Sequence, residues 1–288
     1  MAPYEIVTEA SDSIAPAIVV SFEDWVDASG AGTTAARHIA EGGEVVARFD
    51  GDSLYDYRSH RPVLDIVDGT PKSFVWPEMT LTRRRFPERD IFVLTGPEPD
   101  YRWREFASDV LELSLSLGVV NHVSLGAIPA AVPHTAPTPV MMTAASKDQM
   151  RGAAPTEGLL RVPAAAVSLV EWTHAEHGIP AVGFWAQVPH YANPFSAGAI
   201  SLVRKVEDHL SVTIGAGSLE EEAGSQAEAL RRLFADNPEA TEYLARLEGM
   251  VGEQPIPAAD DIGGEVERFL RNQGRGRGRG PGQTPFSP

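Results

Sequence analysis

The sequence contains no cysteine in its 288 residues. That excludes disulfides, thiol catalysis and thiolate-bound metals, and points to a cytoplasmic setting. Positive charge is scarce: 24 Lys and Arg stand against 40 Asp and Glu, for a formal net charge of -16. A nucleic-acid surface needs a basic patch to neutralise phosphates, so DNA is not an expected partner. Long apolar runs are missing as well, and no window approaches the roughly 20 residues that span a membrane. Met1-Ala2-Pro3-Tyr4 opens no signal peptide, because no basic segment precedes an apolar one. Neither a G-x-S-x-G elbow nor a Walker lysine loop occurs, which removes the commonest hydrolase and NTPase routes.

What is present is a rhythm of apolar runs and amphipathic stretches. Hydrophobic residues make up 43% of the chain, enough for a sizeable core. Residues 17–22 (AIVVSF), 45–49, 89–95 (RDIFVLT), 119–128 and 181–188 read as strands, several with no charge, as strands buried on both faces do. Residues 31–40, closed by Gly42-Gly43, 103–117, 163–177 and 196–210 read as helices between them. Residues 141–146 suggest a further short strand. Residues 63–67 read as an edge strand that 79–86 would join as a hairpin or meander. The β-α-β-α order predicts an α/β fold with a largely parallel central sheet between two helical layers.

Composition divides the chain into three parts. Residues 1–217 form the α/β core domain. From Leu219 the sequence turns Glu- and Ala-rich, predicting a helical C-terminal extension over 218–272 that includes a last helix near 265–270. Residues 273–288 are Arg-Gly-rich, lack apolar mass and read as a disordered, solvated tail.

The chemistry-bearing candidates gather at strand ends. Two apolar runs each stop in Val-Pro-His followed by a hydroxyl residue, at His134-Thr135 and His190-Tyr191. In an open α/β sheet, ligands sit beyond the carboxyl ends of the strands. His134 and His190, with Glu23 and Asp24 after the first strand, are therefore candidate ligand-binding residues, an imidazole beside a carboxylate being an acid–base couple near neutral pH. The alternative is that Pro-His corners are stiff caps bonded to neighbouring backbone. Gly30 and Gly32 open a G-x-G-x-x-A stretch at a helix start, with Asp50 about 20 residues on. Glu23 to Ser29 separate those glycines from the strand end, which suits a simple anion site or close helix packing better than a dinucleotide. His174 and His177 lie three apart on one helix and read as surface residues near its C-terminus. No catalytic residue, cofactor or metal site is expected.

Ser124 to Ser146 (SLGAIPAAVPHTAPTPVMMTAAS) and Ala181 to Pro194 (AVGFWAQVPHYANP) resemble the actinobacterial branch of the proteasome assembly chaperone 2 family, as does AIVVSFEDWVDASGAGTTAARHI near the start. The resemblance covers roughly residues 14–270. It implies a three-layer phosphorylase/hydrolase-like core with C-terminal helices, self-association (a trimer being one form) and proteasome α subunits as partners, with no established catalytic residues. Archaeal members of the family engage the α-ring through a C-terminal hydrophobic-Tyr-any tripeptide. Here Phe286-Ser287-Pro288 carries Ser in the Tyr position. The function expected is a non-catalytic oligomeric interaction protein. The alternative is an enzyme or small-ligand binder of nucleoside phosphorylase-like fold, with its site at the strand ends.

Overall fold

The computed structural model describes residues 3–150 and 158–251. The expected last helix near 265–270 and the Arg-Gly tail lie outside the described residues. In chain order the elements are β1 (Tyr4–Ile6), β2 (Ala17–Glu23), α1 (Ala31–Ala40), β3 (Glu44–Phe49), the one-turn α2 (Gly51–Leu54), β4 (Val63–Val67), β5 (Thr70–Val75), β6 (Thr80–Arg85) and β7 (Asp90–Pro97). There follow α3 (Trp103–Ser116), β8 (Asn121–Ala130), β9 (Val140–Ala144), α4 (Ala166–Glu176), β10 (Ala181–Pro189), α5 (Ser196–Leu210), α6 (Leu219–Ala235) and α7 (Pro238–Met250).

Eight strands form one sheet in the order β1-β3-β6-β7-β2-β8-β10-β9. The centre, β7-β2-β8-β10, is parallel, while β1, β3, β6 and β9 run antiparallel to their neighbours. The apolar runs explain the parallel centre. In β2, Ala17 and Val19 face the α1/α5 layer, and Ile18, Val20 and Phe22 face the α3/α4 layer, so every position from Ala17 to Phe22 is buried. A strand with two apolar faces is stable only between two layers. The α/β sandwich with helices on both faces follows from that patterning.

Three expectations need correcting. Residues 79–86 do not join residues 63–67. Asp68 and Gly69 both take left-handed φ, +51° and +75°, so the chain turns at once in a two-residue hairpin and β4 pairs with β5. β6 instead sits between β3 and β7 in the main sheet. The helix expected over 163–177 starts at Ala166, so Pro163 lies before its first turn. His174 is not a surface residue. It shares a stripe with Val167 and Val170 and is buried, its Nδ1 2.9 Å from the Val170 carbonyl and its Nε2 2.9 Å from Ser114 Oγ on α3. Among the described residues no helix is long and apolar enough to cross a membrane.

Candidate functional site

The carboxyl ends of β2, β7, β8 and β10 converge on one rim, as parallel register requires. The loop after β2, residues 24–27, is fixed there by the Ala127 N–H donating to the Val26 carbonyl at 2.7 Å. Its side chains divide between two cavities: Asp24 and Asp27 line one, Trp25 and Val26 another.

The first cavity, 390 Å³, is polar, and Glu23, Asp24, Asp27, Ser29, Arg37 and His190 are among its walls. Asp27 defines its floor. Its Oδ1 accepts N–H bonds from Gly32 at 2.7 Å and Thr33 at 3.2 Å, and its Oδ2 accepts from the Thr33 hydroxyl. The carboxylate thus occupies the donor-rich start of α1, the position an external anion would take. Burial raises its pKa, opposed by the Thr33 and Gly32 hydrogen bonds and the Arg37 charge. Arg37 also pairs with Glu23 at the mouth. Gly30 starts α1 with φ +66°. Gly32 is placed by packing: a Cβ there would meet Asp27 Oδ1 and the Gly126 backbone, each at 2.9 Å.

A second polar cluster adjoins through Asp24, which has a φ of +82°. His60 Nε2 lies 3.0 Å from Asp24 Oδ2, and its Nδ1 lies 2.8 Å from Asp100 Oδ2. Burial disfavours the imidazolium, but hydrogen bonds to both carboxylates outweigh it and raise the His60 pKa. Glu98, just beyond β7, accepts the Ala166 N–H at 2.6 Å as α4 begins. Burial, with help from the Asp24 and Asp100 charges, pushes its carboxyl up to about 7. His60, Glu98 and Asp100 escaped sequence reading because they are spread over some forty residues in no recognisable spacing. The available signal was Glu98-Pro99-Asp100 directly after a strong parallel-type strand.

Of the residues singled out from sequence, Glu23, Asp24, Gly30 and His190 line the polar cavity. His134 is held elsewhere. Its backbone N–H donates to the Tyr191 hydroxyl at 3.0 Å, and its Nδ1 lies 3.0 Å from the same oxygen. Its ring packs on Phe234 of α6. Burial lowers its pKa, opposed by Glu248 of α7. His190 contacts Tyr191 and Tyr243 of α7. Both Val-Pro-His corners therefore flank Tyr191 under the C-terminal helices, and the Thr135 hydroxyl donates to Glu248 at 2.6 Å across the same seam. Among the described residues no cluster of His, Asp and Glu is arranged to hold a metal ion.

The sequence profile of the PAC2 family matches residues 21–234, from the end of β2 through nearly all of α6. The chain belongs to the PAC2 family. Its fold is shared by solved members and relatives. A Mycobacterium tuberculosis protein of unknown function superposes with a TM-score of 0.83 at 31% identity, covering 94% of this chain and 96% of that one. A proteasome-assembly chaperone homologue from the same organism gives 0.72 at 34% identity, covering 79% and 99%. An archaeal proteasome activator from Pyrococcus furiosus gives 0.64 at 16% identity, covering 81% and 99%, a likeness of fold alone. A search of curated proteins returned no match. The PAC2 core here thus carries its polar rim and aromatic seam on a scaffold common to actinobacterial proteins.

Proposed function

We propose that this PAC2 protein is a non-catalytic, self-associating interaction protein of the cytoplasm with a proteasome-assembly-chaperone-like role. The observation that carries this reading is the β4–β5 hairpin. All its residues are exposed, and it stands outside the main sheet. Leu64 and Ile66 lie on one face, Val63 and Val67 on the other, and Phe74, Val75 and Trp76 complete an apolar surface. An isolated two-stranded hairpin is marginal in water, and exposed apolar residues on both of its faces suit an interaction surface. Its open edges suit pairing with a second copy of the chain. The solved proteasome-assembly chaperone homologue supports a proteasome component as the further partner, and the family resemblance implies the α subunits. The test is co-expression with α subunits in a proteasome-bearing host. Co-purification that is lost with the hairpin variant I66K/F74K supports the reading; clean failure of the unaltered chain to retain α subunits contradicts it.

A second reading rests on the polar cavity. Glu23, Asp24, Arg37 and His190 around a 390 Å³ space suit a small polar ligand. It is the weaker reading, because Asp27 already fills the anion position at α1.

A further inference from the structure

On the α4 side of the sheet lies a second cavity, of 330 Å³, unlike the first in every chemical respect. Its floor is Trp185, which lies flat because two neighbouring strand positions are glycine. A Cβ at Gly126 would meet the Trp185 ring at 2.7 Å, and one at Gly183 would meet it at 2.7 Å. The Trp185 Nε1–H donates to Thr143 Oγ1 at 2.9 Å and fixes the ring. Trp25 from the β2 loop, Met141 from β9 and Trp172 from α4 form walls, and Trp172 is 62% exposed at the mouth.

Into this apolar space α4 delivers Glu171, the sole ionisable residue of the lining among the described residues. Its Oε2 is buried and has no hydrogen-bond partner among the described residues. Burial pushes the carboxyl up to about 7, although the hydroxyls of Ser124 and Thr143 work the other way. A buried acceptor left unpaired is unfavourable, and burial shifts the carboxyl toward its protonated form as one way to relieve it. A ligand bringing its own N–H and positive charge would relieve it better. Tryptophan faces attract cations, three of the chain's five tryptophans line the space, and among the described residues no Lys, Arg or His lines it.

We propose that this cavity is a binding site for a small apolar ammonium compound, its cation on Glu171 and its apolar body between Trp25, Trp172 and Trp185. The inference is independent of the self-association reading, since the hairpin contributes nothing to the lining.

The experiment is a calorimetric titration of the full chain with three probes of similar shape: phenethylamine, 2-phenylethanol and phenylacetate. The ammonium is expected to bind at least about tenfold more tightly than the alcohol, a usual margin for a desolvated charge partner. Phenylacetate should not bind. In E171Q the preference for the amine should vanish while the alcohol retains its affinity. Should E171Q fail to fold, A175W, which fills the cavity from α4, replaces it and should abolish amine binding. Equal affinity for amine and alcohol, an amine preference that survives E171Q, unchanged amine binding in A175W, or no binding of any probe would each overturn the proposal.

Discussion

Glu98 is a carboxyl group held largely out of water beside Asp24 and Asp100, so its proton belongs in the folding equilibrium. Its folded pKa, about 7, lies above its ordinary value of 4.5. Stability tied to this group is therefore present at low pH and is lost as pH rises from about 4.5 through about 7. E98Q keeps an acceptor for the Ala166 N–H without the charge. It should raise stability by about 2 kcal/mol near pH 8 and by almost nothing near pH 4.5, measured by urea unfolding at both. Equal effects at the two pH values would contradict this account. A pair of glycines makes the same point about packing. G126A drives a methyl into Trp185 and the Val26 carbonyl, each 2.7 Å from the added carbon, and should destabilise by about 1–3 kcal/mol. G224A, on α6 with open space around it, should stabilise by about 0.5–1 kcal/mol, and thermal melts of the two should move in opposite directions. Such residue-scale roles were poorly legible in the sequence. The sequence leaves Gly32 open between an anion site and close helix packing, and its neighbours form a packing contact. Asp27 was overlooked because a short 3-10 turn, Ala28–Gly30, separates it from the helix whose start it caps.

At the level of elements, legibility followed burial. The strands β2, β7, β8 and β10 are readable because a two-faced core favours apolar residues at most positions. The hairpin partner β5 was not, since Thr70-Pro71-Lys72-Ser73 lacks the alternation that a buried face imposes, and here no face is buried. Helix α4 has apolar residues around much of its circumference, which hid both the burial of His174 and the inward aim of Glu171. The hairpin carries its own prediction. If it docks on a second copy, amide exchange over residues 63–75 should slow as protein concentration rises, and I66K/F74K should abolish that dependence. Rapid, concentration-independent exchange in the unaltered chain would contradict docking there.

Across the whole molecule, the C-terminal helices act as a lid on the core. Leu219 and Phe234 are buried, Ser196 at the start of α5 bonds Gln226 and Glu222 of α6, and the rings of His134, His190, Tyr191, Phe234 and Tyr243 interlock at the seam. A chain ending at residue 217 should therefore lose several kcal/mol of stability, as removal of buried aromatic contacts does, and expose the Val-Pro-His corners. An undiminished melting temperature for that fragment would show the extension to be an independent unit. The composition shift near residue 217 carries no information about contact across it, which depends on rings some forty to a hundred residues apart in sequence.

Self-association through the hairpin is the claim from which the interaction reading draws its weight, and native mass spectrometry of the full chain tests it directly. The account predicts a defined multiple of the 31.0 kDa chain that falls to a single copy in I66K/F74K. A single copy for the unaltered protein at micromolar concentration, or a multiple that the hairpin variant leaves intact, would contradict it.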